Sequence, residues 1–329
     1  MSRIPLRRLL TTVSIVACAA IALAQASAAR AASAAVREVR VPTADAHPTG
    51  TTIGPDGAVW FTETGTNAIG RLSGGVITEY PLPHGGTPAA ITSGPDGALW
   101  FTESGASRLG RIATDGAITE YPVPACAGCS DGGQSDIAVG PDGALWFTST
   151  YGNAIGRMRI GGRAHWFGLS SAEAAPVSIT AGPDGALWFG DAHGVGRITT
   201  KGTSSQIWSG LYAPAVTEGP DKRIWFSTST IDQIGRLDPV TRSVRFFPIR
   251  TNCYPPALAA GAHAIWFGCY YLDQVDKIST SGTLTSFPIP HHFGGQYPDT
   301  ISGVTVKPNG SVWFAEEAAN RIGRLIPWL

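Results

Sequence analysis

The pair Trp-Phe recurs at near-regular spacing along this chain, at 60–61, 100–101, 146–147, 188–189, 225–226, 266–267 and 313–314. The intervals run from 37 to 47 residues, and a repeat of that period limits the architecture more than any other property of the sequence. The clearest copy reads Ala89-Ala-Ile-Thr-Ser-Gly-Pro-Asp-Gly-Ala-Leu-Trp-Phe-Thr-Glu103, then Leu109-Gly-Arg-Ile-Ala, a Thr114-Asp-Gly turn, and Ala117-Ile-Thr-Glu-Tyr-Pro-Val-Pro124. Short alternating runs separated by Pro-Asp-Gly and Asp-Gly turn signals predict four strands per copy, A to D. A four-stranded unit of about 40 residues is the signature of a propeller blade.

The seventh copy ends at Ile322-Gly-Arg-Leu-Ile326, its third strand. The missing fourth strand is expected from the other end, where Val36-Arg-Glu-Val-Arg-Val-Pro42 has the character of Ile118–Pro124. Pairing the two would close the ring and remove an exposed sheet edge. The expectation is therefore an all-β protein, a seven-bladed β-propeller of four antiparallel strands per blade, its N-terminal strand completing the last blade. Residues 29–329 form that single domain. The A–B and C–D hairpins share one end, here the bottom. The D–A and B–C connections share the other, the top, around the mouth of the central channel where a ligand is expected.

Residues 1–28 read as a signal peptide. Arg3, Arg7 and Arg8 precede a mostly apolar Leu9–Leu23 run, and Ala26-Ser27-Ala28 supplies small residues for cleavage. This predicts a secreted or periplasmic protein with no membrane span after cleavage. Cys126, Cys129, Cys253 and Cys269 remain beyond the leader, and four cysteines permit three pairings. Cys253 and Cys269 fall on the top side of the sixth copy, so a bridge between them would pin two rim loops. Lys+Arg 24 against Asp+Glu 24 gives no net charge, which argues against a nucleic-acid binder. A monomer is expected.

Comparing the copies with one another separates construction from function. The Trp-Phe pairs recur in every blade, and alternation aims their rings at opposite faces, where they can pack on neighbouring blades. The strand-C cations Arg71, Arg111, Arg157, Arg197, Arg236 and Arg324, with Lys277 in the sixth copy, read as structural ion pairs or carbonyl clamps. Glu63 and Glu103 reach the top face, where hydrogen bonds to nearby backbone amides are the expected role. The sixth and seventh copies break the pattern most, with His291-His-Phe-Gly-Gly-Gln-Tyr-Pro-Asp299 leading into the last blade and Ala315-Glu316-Glu317 ending its strand B. His291, His292, Asp299, Glu316 and Glu317 can then gather near one mouth. An imidazole with carboxylates can perform acid–base chemistry or hold a hard cation, although an exposed polar rim is the simpler reading.

The repeat wording, G-P-D-G-x-L-W-F-T-E, N-x-I-G-R-I and G-x-I-T-E-Y-x-L-P, resembles that of the streptogramin B (virginiamycin B) lyases across the whole mature chain. That resemblance implies elimination-type opening of a cyclic depsipeptide lactone without water, assisted by Mg²⁺. On that chemistry His292 or His291, folded over the channel, would have to replace the family's base beside Glu317, with Glu317, Asp299 and Glu316 as the metal ligands. The family's sixth and seventh copies begin strand A with Pro-His-Ala-Ile-Thr and Glu-Pro-His-Gly-Ile. Here the matching stretches are Pro255-Pro256-Ala257-Leu258 and Thr300-Ile301-Ser302-Gly303-Val304, without either histidine. Three expectations follow: a lyase of this type, an extracytoplasmic propeller that binds a small molecule or cyclic peptide at its top face without chemistry, or a metal-dependent lactonase. The seven-fold count disfavours the last.

Overall fold

The computed structural model describes residues 36–124, 133–169, 171, 173–229, 232–290 and 300–326. The expected leader therefore lies outside the described residues, as do Cys126 and Cys129. No helix occurs among the described residues, and none is long and apolar enough to cross a membrane.

Strand β1 (Val36–Arg40) stands alone at the start of the chain. Blade 1 is β2 (Pro48–Ile53), β3 (Val59–Glu63), β4 (Ala68–Ser73) and β5 (Val76–Pro81). Blade 2 is β6 (Pro88–Ser93), β7 (Leu99–Glu103), β8 (Arg108–Ile112) and β9 (Ile118–Pro122). Blade 3 is β10 (Gln134–Val139), β11 (Leu145–Ser149), β12 (Ala154–Met158) and β13 (Ala164–Gly168). Blade 4 is β14 (Ser178–Ala181), β15 (Ala186–Asp191), β16 (Gly194–Thr199) and β17 (Ser204–Ser209). Blade 5 is β18 (Val216–Glu218), β19 (Ile224–Ser227), β20 (Gln233–Leu237) and β21 (Val244–Pro248). Blade 6 is β22 (Leu258–Ala260), β23 (Ala264–Gly268), β24 (Gln274–Ser279) and β25 (Leu284–Pro288). Blade 7 contributes β26 (Ile301–Val306), β27 (Val312–Glu316) and β28 (Arg321–Leu325). Its fourth strand is β1, antiparallel to β28 with Val36 opposite Leu325 and Arg40 opposite Arg321.

Each recurring word of the repeat has a mechanical role. Trp60 packs with Leu99 and Phe101 of blade 2, while Phe61 packs with Ala315 and Ile322 of blade 7. One dipeptide thus supplies both faces of its blade, because successive strand residues point in opposite directions. The glycine of Ile-Gly-Arg makes room for that phenylalanine: a methyl group on Gly110 would collide with the Phe101 ring. Thr62, after Trp-Phe, accepts from the Gly50 amide at 2.9 Å and donates to the Ala89 carbonyl of the next blade at 2.8 Å. The asparagines before the glycine words adopt positive φ, 54° at Asn67, 47° at Asn153 and 57° at Asn320. Their side chains accept amides of the neighbouring entrance loop, as Asn67 does from Gly86 and Thr87 at 3.0 and 2.8 Å. Asn320 does the same for the closing segment, accepting from Ala46 N at 3.2 Å and donating to Thr43 O at 2.7 Å.

The strand-C arginines of blades 1 to 5 are ion-paired. In blades 1 to 5 the aspartate of the bottom turn accepts from the tryptophan Nε1 at 2.9–3.0 Å. Its second oxygen lies 2.6–3.1 Å from the strand-C arginine. Burial pulls Asp56, Asp96, Asp142 and Asp184 upward, but the indole and guanidinium outweigh it and hold all four below the usual carboxylate value.

Candidate functional site

At the centre of the ring the ends of the inner strands leave a channel mouth of about 450 Å³. Thr49, Ala89, Ser135, Pro214, Pro256 and Ser302, from six different blades, contribute to its wall. Asp136 is the single charged side chain among the described lining residues. Its oxygens accept from Ile137 N and Ile179 N, both at 2.8 Å. Burial pushes its carboxyl up to about 6 against those two amides. Both of its oxygens are thus spent tying blade 3 to blade 4, a structural duty.

A larger cleft of about 770 Å³ opens beside the mouth, between the rims of blades 5 and 6, and shares Pro214 and Pro256 with it. Tyr212, Tyr254, Tyr270 and Tyr271 line it, together with Pro255 and Leu272. All four tyrosines stand at least 37% exposed, far from the burial usual for such large rings. Tyr271 lies edge-on to both Tyr254 and Tyr270, with centroids 5.4 and 4.9 Å apart. The entrance loop carrying Tyr254 and the B–C loop carrying Tyr270 and Tyr271 are joined covalently by the disulfide Cys253–Cys269, with Cα atoms 4.3 Å apart. The Tyr270 amide also donates to the Cys253 carbonyl at 2.7 Å. Both sulfurs are buried, so the bridge forms a floor under the aromatic rings and fixes their separation.

Of the residues expected at the site, His291, His292 and Asp299 lie outside the described residues. Glu317 is half-buried on the blade 7 rim, where its amide donates to Thr300 O at 3.0 Å. Burial raises its carboxyl, and the charge of His47 pulls the other way. Its own charge in turn contributes to raising Tyr270, after burial. Glu317 is therefore within electrostatic reach of Tyr270 in the cleft and of His47. His47 carried no repeat signal, and only ring closure brings its loop beside blade 7. Glu316 points elsewhere. It is fully buried and turned toward Gly323 inside the blade, as strand alternation requires for the neighbour of a rim residue.

The fit to Mg²⁺ follows from that donor set. Hard cations of this size take carboxylate and other oxygen ligands, and of the three expected ligands only Glu317 lies at this rim among the described residues. One carboxylate does not make the expected cage, and no step is derived through the metal. The one grouping of metal-binding side chains among the described residues is Cys253, Cys269 and Asp276, where the disulfide already consumes both sulfurs.

Glu63 and Glu103 differ from expectation in their partners, which are side chains and not backbone amides. Arg108 Nε donates to Glu103 at 2.7 Å and lies 3.5 Å from Glu120. In blade 1 the place of Arg108 is taken by Ala68, so Glu63 faces Glu79 with only the Thr66 hydroxyl donating to it, at 2.9 Å. Burial first, and the Glu79 carboxylate second, raise Glu63 to about 7.

A closed ring of seven four-stranded blades around a central channel defines the class as a seven-bladed β-propeller. Comparison with known proteins makes the assignment specific: this chain belongs to the virginiamycin B lyase family, whose pattern matches residues 21–209 and 206–327. It is 30% identical to the virginiamycin B lyase of Staphylococcus aureus over 89% of this chain and 99% of that one, with a TM-score of 0.80. A second streptogramin B lyase structure is also 30% identical, covering 88% of this chain and 97% of its own, at a TM-score of 0.80. The same fold, at 14% identity and a TM-score of 0.69, occurs in the extracellular domain of a hybrid two-component system of B. thetaiotaomicron, covering 88% of this chain and 42% of that one. No curated protein sequence matches the chain.

Proposed function

We propose that this protein is an exported propeller that captures an uncharged, ring-bearing peptide-like ligand, of the cyclic peptide class, in the tyrosine cleft beside its channel mouth. The observation that carries the reading is the cleft itself: four half-exposed tyrosines held over a buried disulfide. Flat aromatic faces bind rings and apolar side chains while each phenol remains able to hydrogen-bond. The channel wall favours binding over catalysis. Pro256 and Ser302 stand where the lyase pattern carries histidine, so those two positions offer no imidazole to remove a proton. An S. aureus virginiamycin B lyase with one histidine replaced by alanine, described as catalytically inactive, was solved with quinupristin. That protein demonstrates, in this fold family, a ligand held without turnover.

A second reading, Mg²⁺-assisted elimination, is favoured by one observation: Glu317 lies within electrostatic reach of both His47 and the cleft residue Tyr270. One experiment decides between them. Quinupristin is titrated calorimetrically into the mature protein, and its mass is followed with Mg²⁺ and with chelator. Saturable binding with the ring intact is the expected result. Ring-opening at unchanged mass that stops with chelator and in Glu317→Gln supports the lyase, and gain of one water indicates hydrolysis. Absence of binding overturns the ligand class. Tyr271→Ala is expected to weaken binding about tenfold, the loss typical of an aromatic anchor.

A further inference from the structure

Blade 7 breaks the ion-pair rule at the bottom of the ring. Blades 1 to 5 each present a tryptophan Nε1 and a strand-C arginine to the carboxylate of a turn aspartate. Blade 7 keeps Trp313 and Arg324 but has Pro308-Asn309-Gly310 in the turn. The Asn309 Oδ1 is occupied by Ser311, accepting from its amide at 3.1 Å and its hydroxyl at 2.8 Å. Trp313 Nε1 and Arg324 Nε are consequently buried donors without a hydrogen-bond partner. Buried donors of this kind are costly unless something accepts from them.

These two groups face a cavity of about 280 Å³ between blades 7 and 1, lined also by Lys307 and by Gly74 and Gly75. Lys307 Nζ lies 5.3 Å from the Trp313 ring and donates to Gly57 O at 2.6 Å. The Arg324 guanidinium lies 5.2 Å from the centroid of the same ring. Burial and the Arg324 charge pull the Lys307 ammonium below its usual value, the response expected of two cations enclosed together. Asp56 of blade 1, whose charge pulls Lys307 the other way, is already bound to Trp60 and Arg71.

We infer that this cavity is a carboxylate-binding site, in which a ligand carboxylate takes the place that the turn aspartate occupies in five other blades. One oxygen accepts from Trp313 Nε1 and the other from Arg324 Nε, with Lys307 as the additional cation. The molecule itself supplies the template, since the same two donors hydrogen-bond a carboxylate in blades 1 to 4 and the arginine ion-pairs with it in blade 5. The site lies on the bottom face, at the opposite end from the tyrosine cleft, and is independent of the function proposed there.

The indole Nε1–H resonance of Trp313, assigned through Trp313→Phe, is followed while sodium acetate is titrated at constant ionic strength. Acetate is expected to shift it saturably in the millimolar range, with chloride silent. Arg324→Gln should weaken the response about tenfold or more, as loss of a charged hydrogen bond does. Asn309→Asp restores the turn of blades 1 to 5, so it should fold, show the shifted resonance without acetate, and no longer respond to it. No saturable shift, an equal response in Asn309→Asp, or a response to inorganic phosphate and not to acetate overturns the assignment.

Discussion

At the residue scale, chemistry is set by which member of a repeated trio is missing. Blade 2 neutralises two carboxylates with Arg108, whereas blade 1 has Ala68 at that place and leaves Glu63 to share its surroundings with Glu79. Glu63 is fully buried, and its carboxyl rises from the ordinary 4.5 to about 7. The folded state therefore holds a proton between those two values that the unfolded chain has released. Stability contributed there is complete below the unfolded value and is lost as pH rises through about 7. Asp136 and Asp276, each raised to about 6 chiefly by burial, act in the same direction. Urea unfolding at pH 5 and pH 8 should show the protein less stable at the higher pH, and Glu63→Gln should recover up to about 2–3 kcal/mol of that difference. A Glu63→Gln protein with the parent's pH dependence would dismiss the buried proton.

At the element scale, each blade is a self-contained clamp whose parts fail separately. Asp142 accepts from Trp146 at 3.0 Å and from Arg157 at 2.6 Å. Asp142→Asn should cost about 1–2 kcal/mol, kept small because the pair is partly solvated. Gly196→Ala is expected to cost more, about 1–3 kcal/mol, since the added methyl drives into the Phe189 ring. Equal losses for the two, measured by denaturant midpoint, would contradict the packing role given to that glycine. The Cys253–Cys269 bridge closes a 16-residue separation, and removing it as a double serine variant should cost about 3 kcal/mol. The same change should loosen the tyrosine cleft, read as weaker ligand binding in calorimetry at a temperature where the variant remains folded.

At the scale of the whole molecule, closure is noncovalent. It depends on β1 lying against β28 and on Asn320, whose side chain holds Ala46 and Thr43. Asn153 makes the corresponding contact at an internal junction, accepting from Ala175 at 3.1 Å, where the chain itself already links the blades. Asn320→Ala should thus lower the melting temperature more than Asn153→Ala. Deletion of residues 36–41 should produce oligomers in size-exclusion chromatography, because the freed edge of β28 invites pairing. A monomeric, cooperatively folding deletion variant would show that the ring needs no fourth strand in its last blade.

Blade number, strand order, the closing strand and the packing role of the strand-B aromatics were legible from the repeat, because packing periodicity is written locally and copied seven times. Even the arginine ion pairs could be read as structural from their recurrence alone. The candidate site was legible only in outline. Departures in the sixth and seventh copies pointed to the pair of cysteines that the structure joins, and Glu317 lies on the blade 7 rim. The four tyrosines, however, come from three different loops that only the curvature of the ring sets face to face. Glu316 was lost to the blade interior by the alternation of a strand whose last residue the sequence did not fix. His47 joined Glu317 only because the two ends of the chain meet. Local pattern determined the blades; the distances between loops from different blades, and hence the chemistry they can share, were decided by closure in three dimensions.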